Sequence, residues 1–163
     1  MTLTLVLTVA VRYLLVVLFF PFSALDKILN FGGAVAQAEE QVPVRAAAVA
    51  LILAGLCVEI FMPLAILTGV ADRLAAFVLA GYCGVTALLW KQFWRPGDFW
   101  RPGPSKGRDL FWDFLKNLSL AGGFLLITFG TGPAGVAGFL AHPLSSSHPY
   151  AFHSSLLPGG HTP

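Results

Sequence analysis

The chain has little charge and little cysteine, and it lacks the motifs of the common redox cofactors. Only 11% of its 163 residues are Asp, Glu, Lys or Arg, and the formal net charge of +2 is too small to indicate a nucleic-acid partner. The two cysteines, Cys57 and Cys83, form no CxxC motif, and no glycine-rich dinucleotide loop is present. The four histidines follow the last apolar stretch without a ligand spacing, so there is no haem, flavin or metal motif.

Long apolar stretches dominate what is present, and the chain is 56% hydrophobic with a mean hydropathy of +0.77. Four stretches are each close to the ~20 residues that cross ~30 Å of hydrocarbon. They run over about 3–25, 46–69, 74–94 and 111–130. These lengths fit helices rather than barrel strands of ~10 residues. The sequence predicts an all-α, polytopic membrane four-helix bundle with short loops over residues 1–132, and a flexible polar C-terminal tail over 133–163.

The orientation follows from the distribution of basic residues. Lys and Arg accumulate in the first and third connections, whereas the opposite side has only Arg73 and the amino terminus. We therefore expect a bacterial inner (plasma) membrane protein with both termini in the periplasm. No basic segment precedes the first stretch, so we expect it to be retained as a helix rather than cleaved as a signal peptide. The first connection, 28–44, lies along the membrane surface or dips partly into it.

The third connection contains a near repeat. Phe93-Trp94-Arg95-Pro96-Gly97 is followed by Phe99-Trp100-Arg101-Pro102-Gly103, and all four tryptophans lie in or beside this stretch. Indole rings prefer the headgroup zone, where arginine can meet lipid phosphate. We favour interfacial anchoring, with a docking surface for a partner as the alternative.

Two charges fall at the same predicted depth inside the membrane. Arg12 and Glu59 are nine and ten residues from the outer ends of their stretches, which places both ~14–15 Å deep. An isolated charge there costs at least ~2.5–3.5 kcal/mol, so we expect the two to pair. The pair is either a static lock of helix register or part of a polar pocket for an anion or a quinone head group, with Glu59 as a proton carrier.

The same plane contains further candidate site residues. Tyr82 and Cys83 on the third stretch, and Gly122 and Gly123 on the fourth, fall near this level. Cys57 is two residues before Glu59 and should face elsewhere, which makes a redox pair between the cysteines a minor alternative.

A second polar cluster is predicted toward the cytoplasmic side. Its members are Asp26, Lys27, Asp113, Lys116 and Asn117. Pairing of Asp26 with Lys116, or of Lys27 with Asp113, is the favoured interpretation. The alternative is the inner mouth of a path to the central pair.

Three segments together resemble the DoxX-like family of small four-helix integral membrane proteins. They are Arg12 with the run closing at Asp26-Lys27-Ile28, Glu59 with Gly69 and Arg73-Leu74-Ala75-Ala76, and Phe114-Leu115-Lys116-Asn117-Leu118 leading into Gly122-Gly123. The resemblance covers about residues 11–132. Departures are Ala24, where such proteins usually have glycine, and Met62-Pro63, which replaces a glycine-rich step.

The resemblance implies a four-helix bundle in a bacterial plasma membrane, with Arg12, Lys27, Glu59 and Asn117 as the family's candidate residues. Some relatives are subunits of thiosulfate–quinone oxidoreductase, and others are associated with redox or oxidative-stress complexes. The favoured function is therefore a membrane subunit of a quinone-linked redox complex, not catalytic alone.

Two other functions stay open. One is a non-catalytic accessory or assembly subunit. The other, less favoured, is an anion or weak-acid carrier. The chain has only four spans and no inverted repeat, so it would have to oligomerise to act as a carrier. The expected partners are the lipid bilayer and other subunits of a membrane complex or further copies of the chain.

Overall fold

The structure, a computed structural model, describes residues 3–130, 132 and 135–150. These residues form helices and no strand, which confirms the predicted fold class. The helices are α1 (Leu3–Val17), α2 (Phe20–Leu29), α3 (Phe31–Glu39), α4 (Arg45–Thr68), α5 (Asp72–Trp90), α6 (Lys106–Phe129) and α7 (Gly135–Ala141).

Within the described part of the chain, four segments are long and apolar enough to cross a membrane. They are Leu3–Leu29, which combines α1 and α2, Arg45–Thr68, Asp72–Trp90 and Lys106–Phe129. Many of their large apolar side chains face outward, among them Leu14, Phe61 and Leu126, as lipid-facing residues do. The protein is a multi-pass membrane protein, and the ends of its four candidate spans differ from those of the four apolar stretches by up to five residues.

The first span bends between α1 and α2. Leu18 and Phe19 form a turn, and Pro21 lies in the first turn of α2. Proline has no N–H and its ring clashes with the carbonyl four residues earlier, so a straight helix cannot continue through it. The bend gives α2 its own direction, with Ser23 and Lys27 facing α4.

The tightest packing is that of α5 against α6 on one side and α4 on the other. Small residues on α5, including Ala75, Ala76 and Ala80, let its backbone approach its neighbours closely, as is common between membrane helices. Leu79 and Phe124 fill the space beside them and are fully buried. This core fixes the level at which α4 and α5 side chains meet.

The two ends of the bundle differ, and we name them by their contents. The terminal pole holds the start of α1 and the α4–α5 turn, 69–71, whereas the loop pole holds α3 and the α5–α6 connection, 91–105. At the loop pole the first connection is helical, because α3 packs along α4 and buries Val35 and Ala38. The connection therefore adds a further helix to this end of the bundle.

Part of the segment predicted to be a flexible tail packs on the terminal pole. In α7, the Phe139 ring lies 5.3 Å from that of Phe77 and 5.7 Å from that of Phe129. Tyr150 donates a hydrogen bond to the Leu67 carbonyl. The prediction of a flexible tail is thus corrected for residues 135–150. Phe139 and Tyr150 hold this segment against the bundle, although its composition is typical of a tail. Residues 151–163, with His153 and His161, lie outside the described residues.

The α5–α6 connection is fixed by hydrogen bonds at the start of α6. The Asp98 carboxylate accepts from the backbone N–H groups of Lys106 and Gly107, at 2.8 Å each, and Ser105 Oγ accepts from Arg108 N–H. A Cβ on Gly107 would lie only 2.8 Å from that carboxylate, so the close approach requires glycine. The Gly107 N–H, followed by that of Lys106, holds the pKa of Asp98 below its ordinary value of 3.8.

This pKa predicts an acid-sensitive connection. Because the folded pKa of Asp98 is lowered, its stabilising effect is present above about pH 4 and is lost as the pH falls through the lowered value. Tryptophan fluorescence of the detergent-purified protein should therefore change in this acid range. Asp98→Asn should show, already at neutral pH, the tryptophan fluorescence that the wild type reaches only in acid. It should lose the acid transition, because an amide presents one acceptor oxygen instead of two.

Asp109→Asn is the control, since Asp109 is exposed in the first turn of the same helix. It should keep the transition. An unchanged acid transition in Asp98→Asn would contradict the assignment.

Candidate functional site

A cavity of about 420 Å³ lies among α2, α3, α4, α5 and α6 in the half of the bundle near the loop pole. Apolar side chains such as Phe19, Ile52 and Val58 form much of its wall, and the rings of Tyr82 and Trp90 complete it. Its polar lining comes from residues on these five helices and from the residues that directly follow α2 and α5. These are Ser23, Asp26, Lys27, Asn30, Gln37, Glu59, Thr86, Lys91 and Asn117.

Glu59 forms the centre of the site and is 2% exposed. Tyr82 donates its phenol hydrogen to Oε1 at 2.7 Å, and Ser23 Oγ donates to the same atom at 2.9 Å. Lys27 Nζ lies 2.8 and 3.0 Å from the two carboxylate oxygens and 2.7 Å from Ser23 Oγ. An ionised carboxylate only accepts hydrogen bonds, and each of these contacts directs a donor at it.

Local sequence explains how these groups meet. Ser23 and Lys27 are four residues apart on α2, so both side chains face α4. On α4, Pro63 has no N–H, which leaves the Glu59 carbonyl without the usual helical partner four residues on. The helix nevertheless continues to Thr68, so the Met62-Pro63 departure from the family pattern is accommodated within it.

The third span supplies the opposite wall. Tyr82 is ten residues after Asp72 at the start of α5, and Glu59 is ten residues before Gly69 at the end of α4. Equal distances from a shared turn place the two residues at the same level. The predicted juxtaposition of Glu59, Tyr82 and Cys83 is therefore seen in the structure, where all three line the cavity.

Nearer the loop pole the cavity is lined by polar groups with partners of their own. Lys91 Nζ lies 3.1 Å from Asp113 Oδ2, and Asn117 Nδ2 donates to the Asp113 carbonyl at 2.9 Å. Thr86 Oγ1 lies 3.4 Å from Asn117 Oδ1. The cavity thus has a polar path from Glu59 toward the loop pole.

The predicted pairing of Arg12 with Glu59 is wrong. Arg12 Nη1 instead lies 2.7 Å from Asp72 Oδ2 and 2.7 Å from the Ile66 carbonyl. Ile66 is seven residues beyond Glu59 on α4, which is about 10 Å nearer the terminal pole. The depth estimate failed because it assumed that α1 begins at the same depth at which α4 ends. In the structure, α1 extends beyond the end of α4 at the terminal pole.

The Arg12–Asp72 pair forms a second, separate polar centre. Asp72 is fully buried, and it also accepts from Ser147 N–H at 2.8 Å and from Ser147 Oγ at 2.6 Å. Arg12 Nη2 donates to the same Ser147 hydroxyl at 2.8 Å. Beside it, Arg73 donates to the Thr128 and Gly135 carbonyls. Both arginines at this pole therefore serve internal contacts that hold the C-terminal segment.

Gly122 and Gly123 do not join the Glu59 centre. Gly122 is exposed, and the Cβ position of Gly123 lies 3.3 Å from a Leu15 methyl group. Gly123 therefore faces α1 and the core rather than the cavity. The absence of a side chain at Gly123 allows α6 to pack closely against α1.

The favoured ion pairs of the second predicted cluster are also wrong. Lys27 binds Glu59 rather than Asp113, and Asp26 accepts from Asn30 Nδ2 at 2.8 Å rather than meeting Lys116. Asp113 is shared by Lys91 and Lys116. Three members of this predicted cluster, Asp26, Lys27 and Asn117, line one cavity with Glu59.

Two important residues were missed by sequence reasoning. Asp72 was overlooked although it begins a helix after a turn, a place where a carboxylate is stabilised by the helix dipole. Ser23 was overlooked although it lies four residues before Lys27, on the same helix face. The cysteines were assigned more successfully, because Cys57 is exposed and Cys83 is buried, with both thiols free.

A multi-pass membrane protein with a carboxylate-centred cavity inside its helix bundle is the class that fold and site define. The chain belongs to the DoxX family, whose profile matches residues 7–92, more than half of the sequence. That range includes both buried ion pairs, Arg12–Asp72 and Lys27–Glu59. No curated protein and no solved structure matches the chain in the corresponding searches.

The Lys27–Glu59 pair predicts a large effect of removing its cation. Lys27→Met should leave a buried, uncompensated carboxylate and lower the free energy of unfolding by about 3–5 kcal/mol. Adding Glu59→Gln should recover part of that loss. Lys116→Met is the control, because Lys116 is 72% exposed beside Asp113, and it should cost less than about 1 kcal/mol. Unfolding in detergent measures all three, and similar losses for Lys27→Met and Lys116→Met would contradict the assigned pair.

A double-mutant cycle distinguishes the two candidate partners of Arg12. Arg12→Ala and Asp72→Ala should each destabilise by about 3–5 kcal/mol, and the double variant should lose less than the sum. Arg12→Ala combined with Glu59→Ala should instead be additive to about 0.5 kcal/mol, because the residues lie in separate networks. Thermal or denaturant unfolding in one detergent supplies the values. Coupling of Arg12 to Glu59, and not to Asp72, would overturn the structural assignment.

Proposed function

We propose that this DoxX family protein is a membrane subunit of a quinone-linked redox complex, and that the Glu59 cavity binds the quinone head group. The observation that carries the proposal is a cavity of about 420 Å³ in which apolar walls and two rings surround a buried, hydrogen-bonded carboxylate. Binding sites for small molecules commonly combine apolar walls of this size with a few placed polar groups.

The side chains suit the chemistry of a quinone. Its head group is a flat apolar ring with two carbonyl acceptors, and the cavity offers Lys27, Tyr82 and Asn117 as donors. The Trp90 and Tyr82 rings provide apolar contact area for the ring. These donors now bond to protein acceptors, so a bound carbonyl would share them or replace one such contact.

In this proposal Glu59 takes part in proton transfer to the quinone. Conversion of a quinone to a quinol consumes two electrons and two protons. In this proposal the electrons come from a redox centre in a partner subunit, and the chain itself supplies the binding site and a proton route. Glu59 and Tyr82 share a hydrogen bond of 2.7 Å at the buried end, and Lys91 and Asp26 line the cavity toward the loop pole. Protons would reach the head group along these polar side chains.

The same proposal includes an orientation. Apart from Arg12 and Arg73, which are bonded inside the terminal pole, the basic residues lie near the loop pole. The positive-inside rule then places the loop pole in the cytoplasm of a bacterium and both termini in the periplasm.

Quinone binding can be tested by filling the cavity without removing a polar group. Gly55 lines the cavity, and a Cβ there would lie 3.5 Å from the Tyr82 hydroxyl, so Gly55→Leu should occupy the space of the head group. Gly81→Leu is the matched control, because a Cβ at exposed Gly81 meets nothing within 4 Å. Titration of the detergent-purified proteins with decylubiquinone, followed by quenching of tryptophan fluorescence, measures affinity. The wild type and Gly81→Leu should bind alike, and Gly55→Leu at least about tenfold more weakly.

Equal affinities of all three proteins, or no binding to the wild type, would contradict the quinone proposal. The latter result would favour the non-catalytic accessory subunit as the function of this chain.

A further inference from the structure

We propose that the α5–α6 connection is a binding site for an anionic phospholipid, with an aromatic groove for the glycerol and upper acyl region and arginines for the phosphate. The groove offers about 290 Å³ and is lined by Phe93, Trp94, Gly97, Phe99 and Trp100. It lies outside the Glu59 cavity, and the proposal does not depend on quinone binding.

The near repeat builds the groove from two aromatic pairs. Within the first pair, the Phe93 and Trp94 ring centroids are 5.0 Å apart at 77°, and within the second those of Phe99 and Trp100 are 4.7 Å apart at 79°. Phe93 and Phe99 join the pairs at 6.0 Å. Edge-to-face contacts of this kind are favourable beyond the buried area alone. The repeat therefore forms one aromatic surface rather than two independent anchors.

Backbone contacts hold this surface in place. Asp98 bonds to the start of α6, and the Arg108 guanidinium donates to the carbonyls of Phe99, Arg101 and Gly103. Ser105 Oγ donates to the Asp98 carbonyl at 3.0 Å. A preorganised site loses less conformational entropy when it binds a ligand. The connection is thus shaped before any ligand arrives.

The exposed charged side chains beside the groove in the sequence are basic. Each lining tryptophan is followed directly by an arginine, Arg95 after Trp94 and Arg101 after Trp100, and both arginines are exposed. Neither takes part in an ion pair among the described residues, and the same is true of exposed Lys106. The acidic residue of the connection, Asp98, is occupied at the start of α6. The free charge therefore favours an anion.

The position of the groove at the membrane boundary indicates which kind of anion binds there. The connection joins two membrane spans, so it lies at a hydrocarbon boundary. Trp94 and Trp100 are 52% and 91% exposed, and indoles concentrate in the headgroup zone. A ligand there needs an apolar part for the rings and a phosphate for the arginines. An anionic phospholipid has both, whereas a soluble anion lacks the first and phosphatidylcholine carries no net negative charge.

The test compares two lipids on the full chain in detergent. Acyl-brominated phosphatidylglycerol should quench tryptophan fluorescence at lower concentration than acyl-brominated phosphatidylcholine. The variant R95Q/R101Q should bind phosphatidylglycerol about 25-fold more weakly, since each cation near an anionic headgroup contributes about fivefold. R95K/R101K, which keeps both charges, should stay within about threefold of the wild type. Because neither side chain has an internal ion pair, R95Q/R101Q should unfold at the wild-type temperature.

Arg45→Gln is the control, because its side chain is 79% exposed at the same pole but belongs to α4, where it pairs with Glu39, and not to the connection that forms the groove. It should bind phosphatidylglycerol as the wild type does. Equal quenching by both lipids, unchanged binding in R95Q/R101Q, or an equal loss in Arg45→Gln would each overturn the proposal. The last of these would indicate a diffuse surface charge instead of a site.

Discussion

Burial of charge in hydrocarbon is the constraint on which the rest of this structure depends. A charged side chain near the bilayer centre costs several kcal/mol unless it finds a partner inside the protein. The bundle pairs Lys27 with Glu59 inside the membrane, and it buries a second pair, Arg12 with Asp72, at the terminal pole. Each pair joins the first span to a later one, so the pairs also fix how α1 and α2 sit against α4 and α5. The first span thus contributes to both pairs, with Arg12 from α1 and Lys27 from α2.

The two pairs have different surroundings, and this difference indicates which of them belongs to the candidate site. Asp72 is fully buried among Arg12 and Ser147, at the pole where the C-terminal segment packs. Glu59 lies at the wall of a cavity that continues toward the loop pole. A pair surrounded by protein has no space for a ligand beside it, whereas a pair beside a cavity can meet one. The Glu59 centre is for this reason the candidate site.

Sequence reasoning recovered the spans because apolar length is a direct consequence of bilayer thickness. It also placed Glu59, Tyr82 and Cys83 together, because both helices could be counted from one shared turn. It failed for Arg12, because the relative depth of α1 is set by side-chain partners and not by the length of its apolar run. It failed again for residues 135–150, where Phe139 and Tyr150 give contacts that composition does not reveal. Long-range partners such as Ser147 leave no periodic signal in the chain.

The central claim is that a quinone head group binds beside Glu59. Photolabelling with an azido-quinone in native membranes tests it most directly, because the label marks whatever surrounds the ring. Labelled peptides should come from the cavity walls, at residues 51–59 of α4 and 82–91 at the end of α5, and excess unlabelled quinone should prevent the labelling. Labelling confined to other faces of the bundle, or labelling that unlabelled quinone does not reduce, would contradict the claim.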